Sequence, residues 1–192
     1  QNPFDDDTIY DYKNYPTNLY REPGEKAPNR AAFGNFGSWL NSYCQEKYGR
    51  PLALVCSADL AGSTNIAGFS KGWNNSPYFG MYHRERNPKG TLLPQGITEF
   101  ANAGLMTGIS TVNFAKDPYK EFNGYITSCS TYGSFSYLKY GAYRLFSQIA
   151  QDSQLKVGKT IWVAGHSGPE TAEDFRTHFG IFAPGVPQLF PE

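Results

Sequence analysis

The side chains able to do chemistry gather at a few points along the chain. Glu99 ends a polar, irregular stretch (residues 82–95, then Gly96-Ile97-Thr98) and begins a run of small apolar residues, 100–109. That run has the composition of a buried helix. An acid delivered into such surroundings is desolvated, so its pKa is expected to rise and it can hold or pass a proton near neutral pH. The alternative is a first-turn glutamate placed only by the helix dipole. Hydroxyls, carboxylates and imidazoles collect at three other points: Ser57-Ala58-Asp59 to Ser63, Thr131-Tyr132 to Phe135, and His166-Ser167 to Asp174 and His178. The segment Gly165-His166-Ser167-Gly168-Pro169 invites comparison with a nucleophile elbow. Its last position is a proline, which cannot take the backbone role of the glycine there and restricts the residue before it.

The elements that position these groups read as strand–loop–helix units. Leu52–Cys56 and Thr160–Ala164 are continuously apolar, as in strands covered on both faces, and each runs into a polar loop. Residues 124–127 read as a weak strand. Arg30–Tyr48, stopped by Gly49 and capped by Asn29, and Phe135–Ser147, with an apolar stripe at Leu138, Ala142, Leu145, Phe146 and Ile149, read as helices. The pattern predicts an α/β fold, a three-layer α/β/α sandwich with a mostly parallel sheet and its site at the carboxyl ends of the strands. Residues 66–95 read as a long irregular excursion of the kind that covers or serves a site. Residues 1–29, interrupted by prolines and carrying Asp5-Asp6-Asp7, which reads as a solvated charge run, read as an extended arm or linker, leaving 30–192 as the folded domain.

Composition bounds the function. The 192 residues carry 17 basic and 17 acidic side chains, which gives no ground for a nucleic-acid or anionic-membrane partner. No apolar run approaches the length of a membrane span. The three cysteines, Cys44, Cys56 and Cys129, are odd in number and far apart, so reduced thiols and a cytoplasmic setting are expected. The three histidines show no metal-ligand spacing, and no protein metal site is expected. No glycine-rich phosphate loop follows either apolar strand.

Taken in order, Ser57-Ala58-Asp59-Leu60, Gly96-Ile97-x-Glu99, Thr131-Tyr132-x-x-Phe135, and His166 through Glu173-Asp174-x-x-Thr177-His178 resemble the pyrimidine-binding domain of transketolases. The resemblance runs from about Arg30 to His178 and implies the thiamine-diphosphate-binding fold. It implies a thiamine-diphosphate- and Mg²⁺-dependent transferase of the pentose phosphate pathway that moves two-carbon ketol units between sugar phosphates. On that resemblance Glu99 bonds the cofactor's aminopyrimidine and promotes its imino tautomer, Phe135 stacks on the ring, Tyr132 lines the pocket and Asp59 lies near the cofactor. Arg30, Ser63 and His166 match positions that hold the acceptor's phosphate, and Asp174 and His178 match positions that bond the sugar. His166 and His178 are also catalytic candidates. Taken singly, Arg30 reads as a surface charge, Ser63 as a turn former and Phe135 as core.

Departures accompany the match. Thr98 and Phe100 stand where the family has an arginine and a histidine, Leu138 where a pocket tyrosine is common, and Ser167 where an aspartate follows the histidine. The Gly-Asp-Gly…Asn motif that holds Mg²⁺ against the diphosphate is absent. The implied partner is therefore a diphosphate-binding domain or subunit, in an enzyme that is a homodimer, and the chain alone is expected to be inactive. Related alternatives are a phosphoketolase or a deoxyxylulose-phosphate synthase. From a different class, a non-catalytic assembly domain of the same fold is the alternative.

Overall fold

The computed structural model describes residues 1–73 and 80–165. Four strands form one parallel sheet in the order β2-β1-β3-β4, with β1 Ala53–Ser57, β2 Leu92–Leu93, β3 Ile126–Tyr132 and β4 Thr160–Gly165. The register pairs Cys56 with Cys129 and Ser57 with Ser130, and, across the other edge of β3, Cys129 with Trp162 and Ser130 with Val163. The helices are α1 (Asp7–Tyr10), α2 (Asn29–Tyr48), α3 (Glu99–Ser110), α4 (Gly133–Ser136) and α5 (Tyr140–Asp152). Among the described residues the sheet is wholly parallel and flanked by helices, the predicted sandwich.

Side-chain alternation along β1 divides the core in two, because successive residues of a strand face opposite sides. Ala53 and Val55 join Leu40 and Cys44 of α2, Ile66, Phe69 and Ile9 in one apolar cluster. Cys56 joins Ala103 and Met106 of α3, Cys129 of β3, and Ala142 and Tyr143 of α5 in the other. Asn41 of α2 fastens the first layer. Its Nδ2 donates to the carbonyls of Ala53 and Phe69, and its Oδ1 accepts from the amides of Leu52 and Ala53.

Several expectations need correction. Asn29 does not cap α2: it is the first helical residue, and Pro28 holds the cap position without a side-chain bond. Gly49 does end the helix, at φ 71°, in the left-handed region that glycine enters freely. The single helix expected over residues 135–147 is broken into α4, a 3₁₀ turn over Tyr137–Lys139, and α5. Its expected apolar stripe is only half buried. Ala142 and Phe146 face the core, while Leu138, Leu145 and Ile149 are exposed. Among the described residues β4 is the last strand of the sheet and is only partly covered.

The first twenty residues are a series of short helical turns docked on the domain. Ile9 enters the core, and Phe4 meets Phe122 edge-on with ring centroids 4.9 Å apart. Asp6, expected to be solvated, is buried. Its carboxylate accepts from Tyr43 (2.8 Å), Tyr48 (2.6 Å) and Lys47 (2.9 Å), all on α2. Burial works against ionisation there, but the bonds from Tyr48, Lys47 and Tyr43 overcome it and hold the carboxyl well below the usual carboxylate range.

Candidate active site

The carboxyl ends of β1 and β3 carry the candidate residues, and the structure sorts them onto the two faces of the sheet. Glu99 opens α3 after an uncapped Thr98 and is only 4% exposed. Thr131 Oγ1, near the end of β3, donates to Glu99 Oε1 at 2.9 Å. The turn before Glu99 is held by Asn102, whose Oδ1 accepts from the Thr98 hydroxyl and whose Nδ2 donates to the Gly96 carbonyl. A buried carboxyl group with a hydroxyl donor on a fixed helix end is held at a defined place, where it would meet a basic ring nitrogen brought alongside. Its neighbours in sequence, Thr98 and Phe100, are uncharged, and Phe100 is exposed.

The opposite face holds a second group. Arg30, Ser63 and Tyr132 line one open cavity of about 360 Å³, together with Phe33, Thr64 and residues of β4. The Tyr132 hydroxyl donates to Ser63 Oγ at 3.1 Å. The resemblance implied a phosphate for Arg30 and Ser63 and a ring pocket for Tyr132; all three line this one cavity. A guanidinium beside two hydroxyls suits a phosphate oxygen.

Beneath the loop after β1 lies a buried chain of hydroxyls. Thr64 Oγ1 and Ser130 Oγ are 2.8 Å apart, as are Ser130 Oγ and Ser57 Oγ. Thr64 Oγ1 also lies 2.8 Å from the Leu60 carbonyl oxygen, and Ser57 Oγ lies 3.1 Å from that of Ser130. This chain seats the loop that bears Asp59 and Ser63. Asp59 adopts φ 62°, an uncommon conformation for a residue with a side chain, and lines a cavity of about 410 Å³ with Ser57, Leu93, Pro94 and Gln95. Phe135 lies in α4 directly after β3 and is half buried. His166, Asp174 and His178 lie outside the described residues.

Sequence reasoning passed over Lys139. Its side chain is 1% exposed, and its ammonium donates to the carbonyls of Cys129 (3.1 Å) and Val163 (2.9 Å), bridging β3 and β4. It lies 5.3 Å from the Trp162 ring centroid. Burial pushes the amine down to about 8. The available signal was its place between the aromatic residues 137, 140 and 143, where a helix cannot turn every side chain to water. Cys44, Cys56 and Cys129 are free thiols, all buried. Among the described residues no group of three or more His, Cys, Asp or Glu side chains could hold a metal ion, and no helix is long and apolar enough to cross a membrane.

No family model matches this chain, and no curated protein matches it.

Proposed function

We propose that the chain is the pyrimidine-binding part of a cytoplasmic, thiamine-diphosphate- and Mg²⁺-dependent ketol transferase acting on sugar phosphates. The observation that carries this reading is Glu99. It is a buried carboxyl group at the first turn of a helix, hydrogen-bonded from the carboxyl end of a central parallel strand. The residues fit the cofactor's organic half: Glu99 to hold a proton against an aminopyrimidine, Phe135 to offer a flat apolar face, and Asp59 with its cavity beside the loop. When bound, the cofactor supplies an acidic thiazolium carbon that becomes the nucleophile. The task of Glu99 is to keep and exchange one proton at its Oε atoms. Arg30 and Ser63 receive the phosphate of the sugar, with Tyr132 orienting the Ser63 hydroxyl.

The diphosphate and its metal are assigned to a partner domain. Support comes from the outer face of α3 and α5, where Phe100 (64% exposed) and Leu145 (60%) flank an apolar groove of about 350 Å³ floored by Gly104, Gly108 and Gly141. Large apolar side chains beside helix backbone left bare by exposed glycines form a face that gains by being covered.

The test is calorimetric titration of thiamine diphosphate with Mg²⁺ into this chain alone, and into the chain mixed with a diphosphate-binding domain. Binding only in the mixture, weakened at least tenfold by Phe135→Ala, supports the reading. Absence of binding in both replaces it with that of a non-catalytic assembly domain.

A further inference from the structure

One stripe of α2, made of Gly34, Gly37, Leu40, Asn41 and Cys44, is buried against the rest of the domain. Another carries Asn35, Ser38, Trp39 and Ser42, which fall at i, i+3, i+4 and i+7 and so share one side of the helix. The docked N-terminal arm supplies the facing wall through Asn18 and Leu19, in the 3₁₀ turn Thr17–Leu19. Between arm and helix lies a cavity of about 330 Å³, a size within the range of small-molecule sites. Every residue that lines it is uncharged, and none belongs to the Arg30 cavity.

The lining has two characters. Trp39 is held by ring contacts with Tyr15, Phe36 and Tyr43, at centroid distances of 4.6, 5.5 and 5.7 Å. Tyr15 is fixed in turn, because its hydroxyl donates to the carbonyl of Ile9, a core residue. The indole is therefore a rigid apolar wall, extended by Leu19. The polar groups, by contrast, are unused. Among the described residues, the side chains of Asn18, Asn35, Ser38 and Ser42 make no hydrogen bond. Two amides and two hydroxyls present both donors and acceptors to whatever enters.

We propose that this cavity is a binding site for a neutral sugar, a pyranoside ring held between the N-terminal arm and α2. An ionic ligand finds no opposite charge among the lining residues, and a wholly apolar one would cover four polar side chains without bonding them. A sugar ring has both surfaces that the cavity calls for. Its C–H face packs on the indole, and its hydroxyls exchange hydrogen bonds with the amides and hydroxyls around it. Such a site requires nothing of the thiamine-diphosphate reading, and a phosphate group would gain nothing here.

The probes are methyl β-D-glucopyranoside and methyl β-D-galactopyranoside, each titrated into the ¹⁵N-labelled full chain while NMR follows the side-chain amides of Asn18 and Asn35. Both amides should shift saturably with at least one glycoside, at a Kd of about 1–10 mM, as suits a small open site. Asn35→Ala and Ser42→Ala should each weaken that binding about fivefold, the loss of one hydrogen bond. Neither variant should move Tm by more than about 2 °C, because neither side chain is bonded in the free protein. Absence of a saturable shift with both glycosides up to about 50 mM overturns the proposal. Binding that neither substitution weakens also overturns it, since the sugar then sits elsewhere. Mannitol at the same concentrations is the control for a solvent effect, and equal shifts with it would be refuting. Glucose 6-phosphate tests the neutral character of the site: binding at these amides tighter than that of the glycosides would refute it.

Discussion

Asn41→Ala should be among the most damaging single substitutions in the described part of the chain. Asn41 is fully buried and makes four hydrogen bonds of 2.8–3.1 Å, two as donor and two as acceptor. They tie α2 to the first residues of β1 and to the 3₁₀ segment Ile66–Trp73. At about 1 kcal/mol net for each bond, the loss is about 4 kcal/mol, before any cost of stranding the Leu52 and Ala53 amides. The Phe69 carbonyl keeps its bond from Thr91 and adds little. For a chain of this size, about 4 kcal/mol lowers Tm by roughly 8–16 °C. Asn41→Asp separates the two halves of the argument. A carboxylate still accepts from the two amides but can no longer donate, and it faces the Ala53 and Phe69 carbonyls, so it should be no milder than alanine. Urea denaturation followed by circular dichroism gives the free energies. A loss under about 1.5 kcal/mol for N41A would show that water or neighbouring groups replace these bonds, and that Asn41 does not hold the first layer to the sheet.

Other perturbations have expected outcomes too. Gly68→Ala would drive a methyl group into the backbone of Gly34, so α2 and the 3₁₀ segment must part; thermal unfolding should register a loss of at least about 2 kcal/mol. Arg30→Ala should leave Tm within about 2 °C, because Arg30 is exposed; on the proposed function it should also weaken binding of a sugar phosphate, in the mixture with a diphosphate-binding domain, about tenfold by calorimetry. Asp6 has a depressed pKa, so its stabilisation is complete above the ordinary carboxylate range and fades as pH falls toward its folded-state value. The Tm gap between the native chain and Asp6→Asn should therefore be wide at about pH 7 and narrow at about pH 2.5; an unchanged gap would refute the link. Lys139 has the same sign of linkage in a higher pH window, where it is a burial penalty relieved by deprotonation rather than a bonded charge gained. Its folded-state amine titrates near 8, below the unfolded value, so the unfolded chain holds more protons and stability rises as pH climbs from there toward about 10.5. Lys139→Met should abolish that rise in a Tm series.

The legible parts of the fold were those in which one force dominates. Helix α2 has a glycine stop, α3 starts at Glu99 where composition changes abruptly, and β1 and β4 are apolar except for Ser57 at the end of one and Thr160 at the start of the other. The strand β3 was visible only at its first residues, because Ser128, Ser130 and Thr131 look like loop residues by type. In the structure these hydroxyls are buried; Ser128 bonds the Ile161 carbonyl, Ser130 bonds the hydroxyls of Ser57 and Thr64, and Thr131 bonds Glu99, so their polarity is satisfied internally. The strand β2 contributes two residues to the sheet inside the long stretch 66–95, too few to announce themselves by periodicity. Asp6 and Lys139 were misread or missed for one reason: sequence shows a charged residue as soluble by default, and only the arrangement of its neighbours shows that it can be buried. For the site, Glu99 and the trio Arg30, Ser63 and Tyr132 were all candidates from sequence, but their division between two faces needed the register of β3.

The hydroxyl chain below the Asp59 loop has a property that its heavy-atom distances leave open. Ser57, Ser130 and Thr64 possess one hydroxyl hydrogen each, whereas their contacts with each other and with the Leu60 and Ser130 carbonyls call for more donors than that. If Thr64 donates to Leu60, the Thr64–Ser130 contact can take a hydrogen only from Ser130, which then gives up its bond to Ser57; if Thr64 donates to Ser130, Ser130 keeps that bond and the Leu60 carbonyl loses its own. The loop is thus fixed in position while its hydrogens retain a choice of orderings, as in ice. Replacing Ser57 with alanine would remove that choice at one end and impose a single direction on the rest.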